Sequence, residues 1–600
     1  MHAERQKRVS DQEFFVSRIL NQSTIFAKNV PFIFAAVAFI EQKQLFRNIS
    51  VQFQKGKIQE TSSGLKAFNL EEAFSVFDNI KGTPKYWRKA KKELYARLDN
   101  FGPFQFFFTL SCAEMRWPEI FTTFLHDHQV EYRQELGKTN VYIDNELLDD
   151  FLSNNIDKYK YIKENIVYVT ILFNNRVQNF IKHIMLGKNN PMAVKYYSYK
   201  TEFQARGAPH IHGVIWVDFD LISKTRTDSK YDELQTAFKT IKNGDKLSNA
   251  QETALSNFAD EHISCSLMNS KTRKIVSDVN IHHHSKSCKK HGTVCRFKFP
   301  KFPSLRTIIV LPAKVLFEDE KKRKNIVKKC QKLLDKVKET LQDSKFVDQV
   351  NKIEENTVNK LLNIQDTIAL VQCIMEKYIS PITLTESMFE YVPSSCQEYV
   401  DQELELDDLQ ELLNALMLEQ SEMENIVEDI HHKRLMLILE KSISSSEYDS
   451  REDLLKNYEF ALKVGQNSYG IVYKRTTSEL YVNHYNQEWI QNWNGNMDIQ
   501  ICLDFFSIIT YISEYYSKDE TGTSSQLMEA LKNSDDKTFR EKLRLVANTF
   551  LTHRQLGVPE AIYRYRAGFI GAVDIFPEPN EHSSYLHNEK TFLFGKIHFQ

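Results

Sequence analysis

The chain has 600 residues, a formal net charge of −1 and 26% charged residues. It is long enough for several domains, but it has no global basic excess with which to hold nucleic acid, so any such contact needs local basic patches. Its eight cysteines are too dispersed for a disulfide framework and fit a reducing compartment with local metal binding.

Residues 1–100 read as a helical, mixed region. Its apolar run from Val30 to Ile40 is too short to span a bilayer and lacks signal-peptide flanks, so it predicts a buried helix and no membrane association. Residues 101–120 and 160–217 carry strand signals. Gly137-Lys138-Thr139 resembles the end of a phosphate-binding loop, but Tyr132 stands where the upstream glycine is required. No ATP site is expected.

The densest chemistry lies between Glu202 and Trp216. The Arg206-Gly207-Ala208-Pro209 segment is turn-forming, and the flanking runs, Lys195–Gln204 and His210–Val217, predict an antiparallel hairpin. Strand side chains alternate, so His210 and His212 face one way and Ile211 enters the core. On the neighbouring strand Glu202 and Gln204 share a face, and either can add an oxygen ligand. Two imidazoles with a carboxylate or an amide suit Mg²⁺ or Mn²⁺ holding a phosphate.

Residues 218–260 are polar and predict an insertion or lid. Residues 262–306 form a basic Cys/His block whose spacing suits a tetrahedral structural Zn²⁺ held by Cys265, His282 or His284, Cys288 and Cys295, with His291 spare. The lysines and arginines around it, Arg296 and Lys298 among them, would fit phosphate contacts. Residues 307–450 read as a charged helical insert. Within it Ile326, Cys330, Leu333, Leu334, Val337 and Leu341 recur at helical spacing, and Glu403 to Glu428 is an acidic helical run. In the last part, 451–600, an uninterrupted helical segment carries Tyr511 and Tyr515 four residues apart, with Lys518 near the same stripe. Two phenols and an ammonium on one face suit nucleophilic attack on a phosphodiester. Taken alone, such tyrosines are more often core residues.

In combination these blocks resemble the Rep, or HUH endonuclease, region of Helitron transposases, the Helitron helicase-like domain family. Phe26 to Phe34, Lys81 to Trp87, Phe107 to Glu119, the 202–216 block, His282 to Cys288 with Cys295 to Lys301, Asn483 to Asn486, Gly495 to Gln500 and Thr552 to Arg564 occur in the family's order. The resemblance implies an α+β fold. A Rep/HUH nuclease core, an antiparallel sheet with flanking helices, would occupy residues 101–306 and include the Cys/His segment. Residues 1–100 would be the helical N-terminal region, 307–450 the helical insert and 451–600 the tyrosine-helix part with the C-terminal segment.

It further implies a rolling-circle nickase and strand transferase acting on single-stranded DNA at transposon ends, in the nucleus. The ion at His210 and His212 would polarise the scissile phosphate. Tyr511 or Tyr515 would form a 5′-phosphotyrosine. A helicase would be absent from this chain and supplied in trans. The alternative is an inactive, truncated transposon-derived protein that only binds single-stranded DNA.

Overall fold

The hydrophobic run Phe106-Phe-Phe-Thr-Leu-Ser111 organises the central sheet, because it pairs on both sides. The computed structural model describes residues 9–20, 25–54, 84–121, 155–187, 190–203, 208–225, 230–285, 288–289, 295–376, 382–383, 388–389, 391–400, 403–443, 449–504, 507–511, 529, 539–553 and 557–566. Its strands are β1 (Phe106–Ser111), β2 (Val194–Phe203), β3 (Pro209–Val217), β4 (Ile308–Pro312), β5 (Ile382–Thr383), β6 (Glu403–Leu404), β7 (Val464–Gly465), β8 (Gly470–Val472) and β9 (Met497–Ile501). Four of them form an antiparallel sheet in the order β2-β3-β1-β9. Smaller sheets join β7-β4-β8 and β5-β6. The fold is mixed α+β and mostly helical.

Helices used below are α1 (Val30–Gln54), α2 (Pro84–Phe101), α3 (Ile166–Asn179), α4 (Lys230–Asn243), α5 (Asn249–His262), α6 (Ser270–Val279), α7 (Glu320–Gln342), α8 (Glu355–Glu376), α9 (Leu406–Ser442), α10 (Arg451–Lys463), α11 (Gln487–Trp493) and α12 (Val558–Arg566). One face of the main sheet is apolar. Phe106, Phe108, Leu110, Ile211, Ile215, Val217, Met497 and Ile499 pack there against Phe173 of α3, Phe258 of α5 and Trp489 and Trp493 of α11. The indole N–H of Trp117 donates to the Trp493 carbonyl (3.0 Å), and that of Trp493 to the Ser111 carbonyl (2.9 Å). The end of β1 is thereby tied to α11 although the two lie far apart in sequence.

Residues 218–260 are not a polar insertion. Leu234, Ala237, Phe238 and Ile241 of α4 and Leu255, Phe258 and Ala259 of α5 all enter the main core. Their apolar residues lie on narrow helical faces, so average polarity concealed them. The run beginning at Val30 is helical, with Ile33, Ala36, Val37 and Leu45 buried. α1 packs with α12 and with Val167 of α3, which joins segments far apart in sequence. No helix among the described residues is long and apolar enough to cross a membrane.

From Ala313 to Lys463 the described chain is predominantly helical, around two further cores. α7 starts on Asp319, whose carboxylate accepts the Lys322 N–H at 2.6 Å. It buries Cys330, Leu333, Val337 and Leu341, the stripe its spacing predicts. The 37-residue α9 serves both cores, Leu409 to Ile430 in one with α8 and Leu435 to Leu439 in the other with α7 and α10.

The register of β1 on β3 sets Phe108 opposite Gly213. A Cβ at Gly213 would lie 2.4 Å from two atoms of the Phe108 ring, which is buried and cannot swing away. Gly213→Ala is therefore expected to destabilise the fold by about 1–3 kcal/mol through overpacking. Urea unfolding would show a lower midpoint than wild type; an unchanged midpoint would contradict this account of the glycine.

Candidate active site

The opposite face of the same sheet is polar at one end. Strand register aligns Glu202, His210 and Ser111 in one cross-strand row and Lys200, His212, Thr109 and Asp498 in the next. Directly opposed residues on antiparallel strands share a face, so the two histidines stand beside the carboxylate as the spacing predicts, and Ile211 is in the core. His210 and His212 are both buried, with ring centroids 4.6 Å apart. Glu202 Oε2 is 2.9 Å from His212 Nε2. Gln204 lies outside the described residues.

Hydrogen bonding favours one tautomer of His210. The Asn496 amide donates to the Val279 carbonyl (2.8 Å) and to Asn280 Oδ1 (3.2 Å), which leaves Asn496 Oδ1 toward Ser111. The Ser111 hydroxyl donates to that oxygen at 3.3 Å. Its own oxygen, 2.8 Å from His210 Nδ1, is then the acceptor of an Nδ1–H. Burial lowers the His210 pKa to about 3; His212 reinforces the shift, and Glu202 and Asp498 oppose it weakly. His210 is thus neutral at pH 7, and this arrangement favours a lone pair on Nε2. Asn280 also accepts from the Met497 N–H (3.0 Å) and donates to the Asn483 carbonyl (3.2 Å), anchoring β9 to the Asn483–Asn486 segment.

The other end of this face is apolar and receives the tyrosine segment. Residues 507–511 are helical. Asp504 starts the turn, accepting from the Ser507 N–H (3.2 Å) and hydroxyl (2.7 Å). Ile509 is buried with Leu94 of α2, Phe104, Phe107, Val214 and Trp216. This docking brings Tyr511 to the histidines. Its ring centroid is 6.1 Å from that of His212 and 5.9 Å from that of Phe107, which itself stacks on His212 at 6.2 Å. Tyr511 remains 40% exposed. Tyr515 and Lys518 lie outside the described residues.

The sequence reasoning did not single out Ser111, Asn496, Phe107 or Asp498. The last reaches His484 Nδ1 (3.3 Å) and the Gln500 amide (2.7 Å). Their signal was alternation. Thr109 and Ser111 are polar at a two-residue interval within an apolar strand, and Asn496, Asp498 and Gln500 repeat that interval.

His282, His284, Cys288 and Cys295 converge, with all four ligand atoms within 4.8 Å of one another. His282 Nε2 is 3.4 Å from Cys295 Sγ, and His284 Nδ1 is 3.5 Å from Cys288 Sγ. A tetrahedron with Zn–N legs of about 2.0–2.1 Å and Zn–S legs of about 2.3 Å has nitrogen–sulfur edges of about 3.5 Å, so the donor set fits that ion. Burial lowers His282 to about 4, helped by His284, and lowers His284 as well, which favours neutral imidazoles. The His282 ring stacks on Phe299 at 4.4 Å. Cys265 is separate from this group. It is buried in the main core, just after the Ser264–Tyr485 bridge, where desolvation raises its thiol to about 11. Both histidines thus join the group and Cys265 leaves it. His291 lies outside the described residues.

Residues 1–215 match the family model of the Helitron helicase-like domain at N-terminus. This part of the chain is similar to the Helitron helicase-like family. Comparison with curated proteins and with solved structures finds no match. The Helitron helicase-like segment contributes β1, β2, Glu202 and both histidines; β9, Asn496 and Tyr511 come from beyond it.

Burial holds the His210 imidazole well below the usual histidine range. Its depressed pKa means that the unfolded chain binds a proton there between about pH 6.5 and 3 while the folded chain does not. The stability it contributes is present above pH 6.5 and is lost as pH falls through that window. Nitrogen-detected NMR should find His210 neutral and protonated on Nδ1 from pH 8 to pH 5, with Ser111→Ala mixing the two tautomers. An imidazolium at pH 6 would contradict the geometry.

Proposed function

We propose that the chain is a Helitron-related, metal-dependent endonuclease and strand transferase that acts on single-stranded DNA through Tyr511. The observation that carries this reading is the position of the Tyr511 ring, 6.1 Å from His212 on the polar face of the sheet. His210 and His212, with Glu202 beside them, would hold a divalent ion such as Mg²⁺ or Mn²⁺. Bound there, such an ion supplies Lewis-acid polarisation of a phosphate oxygen. Ser111 and Asn496 keep the His210 Nε2 lone pair facing the site.

Tyr511 attacks phosphorus. Its oxygen forms the new P–O bond as the bond to the 3′ oxygen breaks; the phenol gives up its proton and the departing 3′ oxygen takes one up. The products are a 5′-phosphotyrosine and a free 3′-OH. Tyr515 would provide a second nucleophile for strand transfer, with Lys518 offsetting charge. The substrate would be transposon ends in the nucleus, with unwinding supplied by another protein.

A labelled single-stranded oligonucleotide incubated with Mn²⁺ should become covalently attached to the protein, with mass spectrometry placing the adduct on Tyr511 or Tyr515. The double change Tyr511→Phe, Tyr515→Phe should abolish it, and His210→Ala should lower its yield at least about 100-fold, the scale of losing a metal-held electrostatic contribution. An adduct that survives loss of both tyrosines would refute the assignment.

We also propose a structural zinc at His282, His284, Cys288 and Cys295. Elemental analysis should find one zinc per chain, lost in Cys288→Ala and kept in Cys265→Ala. Loss of zinc on changing Cys265 would restore that residue to the ligand set.

A further inference from the structure

Charge in the helical region is sharply segregated, which the overall charge of −1 conceals. α7 carries nine basic residues against three acidic ones, and α9 carries nine acidic against three basic. Along α7, Lys324, Lys328 and Lys332 are exposed and recur every fourth residue, one per turn at intervals of about 6 Å. They line a groove of about 780 Å³ between α7 and the turn at Gln466 and Asn467. Asp335 and Glu339 interrupt its positive charge toward the C-terminal end of the helix, and at the N-terminal end Glu320 pairs with Lys324 at 2.7 Å.

The same helix touches the Cys/His segment. Lys338 Nζ donates to the carbonyl of Lys298 at 2.9 Å and to that of Pro300. Immediately beside this junction lie three exposed residues, Arg296, Phe297 and Lys298. Phe297 is 45% exposed, with the Arg296 guanidinium 4.5 Å from its ring centroid. A cation layered on an exposed aromatic ring, next to a lysine ridge, is the composition that tracks a polynucleotide strand by backbone charge and base stacking.

We propose that the lysine ridge of α7 and the Arg296–Lys298 turn form one surface that binds single-stranded DNA, with Phe297 as a stacking platform. A duplex keeps its bases stacked on each other and offers Phe297 no ring face, so the surface favours the unpaired strand. The choice of DNA rests on the cutting reaction proposed above; the strand-binding character rests only on this surface.

The test is fluorescence anisotropy with a labelled 30-nucleotide DNA strand and its duplex across a salt series. Every protein carries Tyr511→Phe and Tyr515→Phe, so that no covalent trapping enters. Changing Lys324, Lys328 and Lys332 together to Gln should reduce the slope of log affinity against log salt by about 2. Phe297→Ala and Phe297→Leu should each weaken single-strand binding about 5- to 100-fold and leave the slope unchanged; the leucine variant keeps apolar volume at the turn. The single strand should bind more tightly than the duplex. An unaltered salt slope in the lysine variant, unaltered affinity in Phe297→Leu, or duplex binding as tight as that of the single strand would overturn the proposal. Because binding is read without cleavage, failure of the nicking reaction would leave these outcomes interpretable.

Discussion

Everything at the candidate site depends on the register of β1 between β3 and β9. A slip of one residue on either side would exchange the two faces of a strand, sending the histidines or Asp498 into the core and exposing Ile211 or Met497. The register is held by packing at Phe108 and Gly213, where one ring fills the space a side chain would need. It is held again by the paired indoles, which bind the end of β1 to α11. The same alternation builds the apolar core on one face and leaves a polar row on the other. Stability and the placement of the chemistry therefore have one origin.

The polar row is supported from behind. Asn280, at the end of α6, anchors Asn496; Asn496 orients Ser111; Ser111 favours one tautomer of His210. Asn280 and His210 are buried and Ser111 and Asn496 half-buried; an unmet hydrogen bond at a buried member would cost about 1–3 kcal/mol, which limits the alternative arrangements. At the other end of the face, apolar packing of Ile509 against Phe107, Val214 and Trp216 carries the tyrosine segment to the histidines. Hydrogen bonds thus define the protonation of one partner, and hydrophobic contact defines the approach of the other.

Much of this was legible in the sequence because it was local. The hairpin, the shared face of His210 and His212, the pairing with Glu202 and the apolar stripe of α7 follow from periodicities of two and of three to four. The Cys/His group was legible in outline, but its membership was not, since spacing cannot tell that Cys265 enters the main core after a bridge to Tyr485. Residues 218–260 misled through their mean polarity, although the apolar faces of α4 and α5 were present in the pattern. The roles of Ser111, Asn280 and Asn496 could not be read at all. They arise from contacts between segments hundreds of residues apart, and no local rule links such segments.

The central claim is that a divalent ion, the imidazole pair and Tyr511 share one cleft on the sheet. Anomalous X-ray scattering from crystals of the protein soaked in Mn²⁺ tests it most directly. The account predicts a peak within bonding distance of His210 Nε2 and of His212, beside Glu202 and facing the Tyr511 hydroxyl. A peak elsewhere, or no peak at the histidines when Mn²⁺ is saturating, would contradict it.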